Sequence, residues 1–137
     1  MKIEYLPHTA DVEMRVEGNS RKELFETAIR GMAQVLREDG CTLQETYPLS
    51  RRIALQAPDL TCLLIDSLSD ILALSFIHKA IFCRAGFIEL SENRIVADLY
   101  GYEVDGFDEE IKAVTYHGAQ VRQSGSTTWE TRVIFDI

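Results

Sequence analysis

The chain ends WETRVIFDI, where Val133, Ile134 and Phe135 run straight into Asp136 and the chain stops at Ile137. Aspartate is disfavoured in strands, so a carboxylate closing an apolar strand needs a donor or a cation wherever it is buried. Next to it stands the α-carboxylate of Ile137, and two anionic groups that close repel each other unless positive charge lies between them. Near the other end, PHTAD (7–11) presents His8, Thr9 and Asp11 within four residues. Pro7 biases the preceding residue toward extended backbone, and loops set on a rigid sheet are where functional groups collect. Thr9 and Asp11 could equally cap a turn through local amides. A third segment, KAVTYHG (112–118), places Lys112, Val114 and Tyr116 on one side of a strand and Ala113, Thr115 and His117 on the other, with Gly118 ending the run. His117 is there either a hydrogen-bonded structural histidine or a functional one.

Elements must bring these residues together. Val12, Met14 and Val16 alternate with charged residues, the period of a strand with one buried face. If that strand pairs antiparallel with the one ending at Phe135, the start of the first lies beside the end of the second and Asp11 meets Asp136. Asp11, Asp136 and the carboxylate of Ile137 then form an oxygen-only set that suits a hard cation such as Ca²⁺, Mg²⁺ or Mn²⁺ and suits zinc poorly. The alternative is a pair of solvated chain-end charges held by Lys112 or an arginine. Two further acidic groupings read as solvated surface: Asp66 and Asp70, one helical turn apart, and the loop run Asp108-Glu109-Glu110.

The remaining pattern is α+β, a single domain over 1–137 whose mostly antiparallel sheet packs around two α-helices. Gly18-Asn19 breaks the first strand, and Ser20 followed by Glu23 is a capping box that opens a helix with Leu24, Phe25, Ala28, Ile29, Met32, Ala33 and Leu36 at helical spacing. That helix is expected to stop near Gly40, using its tolerance of positive φ. Ile53, Leu55 and Ala57 alternate as a strand; Pro58-Asp59 then caps a second helix from Leu60 that gives way between Ala73 and Lys79. Apolar around most of its circumference, this helix should lie deep, enclosed by sheet. Strands are expected over 80–90, 95–104, 111–117, 119–123 and 129–136, with turns at 91–94 and 124–128.

Composition narrows the function classes. With 22 acidic and 14 basic residues the net charge is −8, a field that repels phosphate backbones and draws cations or basic surfaces, so RNA is expected to be met only indirectly. Cys41, Cys62 and Cys83 are odd in number and lack a CxxC pair, which reads as buried free thiols in a reducing cytoplasm, with neither a disulfide framework nor zinc. No basic-then-apolar leader follows Met1, and Asp66 and Asp70 interrupt the most apolar stretch, so no membrane span is expected.

PHTADV, APDLTCLLIDSLSDIL, IKAVTYHG and the closing RVIFDI, in this order and at these distances, resemble the archease family along essentially the whole chain. Archeases are protein cofactors, without catalytic residues of their own, of the RtcB-type RNA ligase that joins cyclic-phosphate and hydroxyl ends in tRNA splicing and RNA repair. The resemblance implies an accessory that promotes guanylylation and multiple turnover of that ligase through a bound divalent ion, Ca²⁺ first, with Mg²⁺ or Mn²⁺ as alternatives. It assigns Asp11, Asp136 and Ile137 as ligands, Lys112 as a functional lysine, and His8 and His117 as supporting groups. Glu13 stands where the family commonly has glycine, and Ser67 and Ser69 stand where it often has Trp and Asn. A free-standing metal-dependent phosphoesterase using His8 or His117 as general base is the rival reading, although the chain has neither a nucleophile elbow nor a phosphate-cradling glycine loop. A chaperone-like binding module is a third.

Overall fold

The computed structural model describes residues 1–7 and 11–137; His8 and Thr9 lie outside the described residues. The elements run β1 (Lys2–Pro7), β2 (Asp11–Gly18), α1 (Arg21–Leu36), α2 (Gly40–Leu43), β3 (Leu49–Gln56), α3 (Leu60–His78), β4 (Ala80–Leu90), β5 (Arg94–Glu103), β6 (Ala113–Thr115), β7 (Arg122–Ser124) and β8 (Thr128–Asp136). They build two antiparallel sheets. One has the order β1-β2-β8-β6 with β7 also paired to β8, and the other has the order β3-β5-β4. The architecture is the expected α+β, with a four-residue α2 added to the two long helices.

The first helix forms as its residues dictate. Ser20 accepts the Glu23 N–H at 3.0 Å while the Glu23 carboxylate takes the Asn19 N–H at 3.2 Å, which satisfies donors that a helix start leaves orphaned. Leu24, Phe25, Ala28, Ile29, Met32, Ala33 and Leu36 are all buried, and α1 packs on β2 of the larger sheet and β4 of the smaller, joining them through one core. Each large side chain so buried contributes about 1.5–3 kcal/mol. The helix stops at Leu36, earlier than Gly40. Asp39, with φ 57°, takes the left-handed turn instead, while Gly40 is small because a Cβ there would sit 2.6 Å from Ile81 Cδ1 and 3.2 Å from the Tyr102 hydroxyl.

Asp59 caps α3 by accepting the Cys62 N–H at 2.8 Å. Among the described residues α3 is the one helix long and apolar enough to cross a membrane. Its apolar length goes into the core, with Leu63, Leu64, Ile65, Leu68, Ile71 and Leu72 buried against β3, β4 and β5. Enclosure is incomplete: Asp70, Ala73, Phe76 and Ile77 reach the surface.

Two further expectations need correction. Cys41 and Cys83 are not free thiols: they form a disulfide, their Cα atoms 5.6 Å apart, and Cys62 alone stays reduced. Spacing hides this pair because its members stand 42 positions apart and only the packing of α2 on β4 brings them together. The strands expected over 111–117 and 119–123 shrink to three residues each. Between them Ala119 N–H closes a turn on the Tyr116 carbonyl, Gly118 adopts φ +63°, and Val121 N–H donates to Thr61 Oγ1 on α3. Those donors are satisfied outside a ladder.

Candidate functional site

β2 and β8 pair with Asp11 directly opposite Asp136, Val12 opposite Phe135 and Glu13 opposite Ile134. Met14, Val16, Val133 and Phe135 fill the core, so alternation turns Asp11, Glu13, Arg15 and Asp136 to the other face. On the far side of β8, Ala113 pairs with Asp136, and the Lys112 N–H donates to the Asp136 carbonyl at 2.7 Å. Ile137, one residue beyond Asp136, rests partly buried against the core. The start of β2, the end of β8 and the start of β6 thus meet at one end of the larger sheet, as antiparallel pairing required.

Like charges directly opposite in a ladder destabilise it, and the Asp11–Asp136 pair is such an arrangement. Among the described residues no three His, Cys, Asp or Glu side chains cluster to hold a metal; the third member of the expected set is the main-chain terminus of Ile137. The donors are carboxylate oxygens, and that chemistry fits a hard divalent cation.

Lys112 is exposed at this end. His117 lies in the turn beyond β6 and is exposed. It follows β6, whose last pair is Thr115 with Ile134, on the order of 10 Å along the strand from Asp136. Its neighbour Gly118 accepts Arg132 Nε at 3.1 Å.

Glu13, which the family pattern marked as a possible intruder, is 5% exposed and already neutralised. Arg15 Nε donates to its Oε2 at 3.0 Å and Arg132 Nη1 to its Oε1 at 3.3 Å. Arg15 and Arg132 are themselves direct cross-strand partners, so Glu13 relieves their repulsion while they relieve its own. Ser67 is buried and donates to the Leu63 carbonyl at 2.6 Å, so its own hydroxyl is satisfied within α3. Asp66 is more than solvated surface, since its carboxylate accepts the Tyr116 hydroxyl and that bond pushes the phenol up to about 12. Asp70, one turn on, is raised by desolvation and then by Asp66. Asp108 accepts the Glu38 N–H at 2.8 Å, tying its loop to the end of α1. Parity along β2 and β8 already put Glu13 on the same face as both arginines; the Tyr116–Asp66 tie left no mark in the sequence.

The sequence model of the Archease protein family (MTH1598/TM1083) matches residues 3–137. The chain belongs to the archease family. It is 35% identical over 144 aligned residues to Protein archease of Methanosarcina acetivorans, spanning 99% of this chain and 96% of that one. Protein archease-like of Drosophila melanogaster is 31% identical, with 100% and 91% covered. The solution structure of Methanobacterium thermoautotrophicum protein 1598 superimposes with a TM-score of 0.79 at 25% identity, covering 98% of each chain. A Thermotoga maritima crystal structure, described as an archease and possible chaperone, shares the fold with a TM-score of 0.67 at 21% identity, covering 96% of this chain and 94% of its own.

Proposed function

We propose that this archease is a cytoplasmic accessory protein that activates an RtcB-type RNA ligase, promoting its guanylylation and turnover, with a divalent ion held by Asp11, Asp136 and the carboxylate of Ile137. The observation that carries the reading is the β2–β8 register, which sets Asp11 against Asp136 beside the chain terminus. When bound, the ion supplies positive charge to phosphate oxygens, and phosphoryl transfer depends chiefly on positioning and charge neutralisation. The chain's own groups arrange that end: Asp11 and Asp136 present oxygens, the Lys112 N–H fixes the last strand, and the Lys112 ammonium offers a second cation to an anionic partner group. The disulfide removes the cysteine argument for a reducing compartment, so the cytoplasmic assignment rests on the ligase role.

The test is a guanylylation and ligation assay on purified ligase with Asp11→Ala, Asp136→Ala and a chain lacking residues 136–137. Each is expected to fold, to lose Ca²⁺ or Mn²⁺ binding by calorimetry, and to lose stimulation. Stimulation equal to the parent's by both aspartate variants would sink the reading. A chaperone role has one point in its favour, the exposed side chains of Ile77 and Ile88; it predicts suppression of client aggregation that is indifferent to Asp11.

A further inference from the structure

A second concave site lies away from the Asp11–Asp136 end. It is a cleft of about 720 Å³ lined by Glu26 and Arg30 of α1, Glu45 and Tyr47 ahead of β3, and Arg84, Gly86 and Tyr100 of the smaller sheet. One wall is unusually well fixed for a loop. The Cys41–Cys83 bridge pins α2 to β4, the Tyr47 hydroxyl donates to the Cys41 carbonyl at 2.5 Å, and Tyr47 stacks on Tyr102, whose own hydroxyl donates to the Gly40 carbonyl at 2.6 Å. Loop residues held this firmly present a preorganised surface, which lowers the ordering cost of binding.

The cleft holds two guanidiniums that no carboxylate neutralises. Arg84 lies 5.9 Å over the Tyr47 ring, and among the described residues neither Arg84 nor Arg30 has an ion pair or hydrogen bond from its side chain. Carboxylates outnumber cations in this chain, yet none captures either arginine. Tyr100 stands directly across the ladder from Arg84 on the solvent face of the sheet and is 36% exposed. Beside it, within β4, Gly86 lets the Tyr100 ring lie low on the sheet: a Cβ there would already touch Tyr100 Cε2 at 3.5 Å.

The geometry points to a nucleotide-binding site in this cleft, with a base stacked on the outer face of Tyr100 and its phosphate held by Arg84 and Arg30. Aromatic stacking beside arginine is the chemistry by which sheet surfaces take unpaired nucleotides. Glu26 and Glu45 accept hydrogen bonds from ribose hydroxyls or exocyclic amines, and they repel a bare polyanion. The site therefore selects a nucleotide over inorganic phosphate. It is independent of the metal-end reading.

The experiment titrates the full-length, oxidised protein with AMP, GMP, a short single-stranded RNA and inorganic phosphate, following amide shifts by ¹H–¹⁵N NMR. Millimolar nucleotide is expected to shift the amides of Tyr47, Arg84, Gly86 and Tyr100, with inorganic phosphate much weaker. RNA binding more tightly than AMP assigns the site to a strand; equal affinity assigns it to a free nucleotide. Tyr100→Ala and Arg84→Gln should each weaken binding roughly tenfold, and Gly86→Val should displace the Tyr100 ring and weaken binding likewise. Intact spectra of the variants show that they fold. The proposal is overturned if nucleotide causes no shift in the cleft, if the variants bind unchanged, or if inorganic phosphate does as well.

Discussion

Two guanidiniums converge on Glu13, and what they lose without it can be measured. In Glu13→Ala, Arg15 and Arg132 face each other across the β2–β8 ladder with no carboxylate between them. Glu13 itself is buried but both arginines are about half exposed, so water screens much of the interaction. The expected loss is about 1–2 kcal/mol by urea unfolding, smaller in Glu13→Gln, and reduced by added salt. No loss in either variant would mean the arginines simply swing into solvent. At this scale the sequence was readable wherever chain direction and alternation decide the outcome: Asp11 meets Asp136 because antiparallel strands juxtapose start and end. The same register implied the Arg15–Arg132 pair, but the diagonal reach of Arg132 to Glu13 depends on side-chain conformation and is visible only in three dimensions.

Elements meet through a few polar ties, and one of them has a spectroscopic handle. The segment after β6 is fastened to α3 by the Tyr116 hydroxyl on Asp66 and by Val121 N–H on Thr61. The bond to Asp66 pushes the Tyr116 phenol up to about 12, and burial does the same for Tyr5, whose hydroxyl donates to the Gly31 carbonyl at 2.9 Å. A phenol whose folded value lies above its ordinary 10.0 adds stability that is fully present below pH 10 and is lost as pH rises through about 12. Ultraviolet titration of tyrosinate should therefore show two of the five tyrosines ionising late. Tyr116→Phe and Tyr5→Phe should each remove one late phenol and flatten the fall in stability above pH 10. If Tyr116→Phe leaves the late phase unchanged, the tie to Asp66 is not made in solution. Helices were legible from their caps and apolar spacing, since those cues are local. Residues 111–123 were read as longer strands because alternation looks the same whether or not a partner strand lies alongside. Gly101 was silent in the sequence for a related reason: a Cβ there would lie only 2.8 Å from the Ile81 carbonyl carbon on β4, a constraint created by register.

For the molecule as a whole, the largest feature the sequence concealed is the covalent one. Cys41 and Cys83 close a loop spanning 42 positions between α2 and β4; by the chain-entropy relation such a loop restricts the unfolded state by about 4 kcal/mol, and measured values run about 2–4. That is a large fraction of the ~5–15 kcal/mol by which a domain of this size is stable. Cys83 is fully buried and Cys41 8% exposed, so the bridge should resist a mild reductant in the native state and yield once the chain unfolds. Cys41→Ser with Cys83→Ser, or reduction under denaturant, is expected to lower the urea midpoint in proportion to that loss. The Asp11–Asp136 end belongs to the other sheet, so the metal affinity proposed for it should survive in the double variant, whereas the Tyr47 wall of the second cleft, hung from Cys41, should loosen and weaken the proposed nucleotide binding. A double serine variant as stable as the parent would mean that the core, not the bridge, holds α2 against β4. Loss of metal affinity in it would mean that the two sheets do not act as separable platforms.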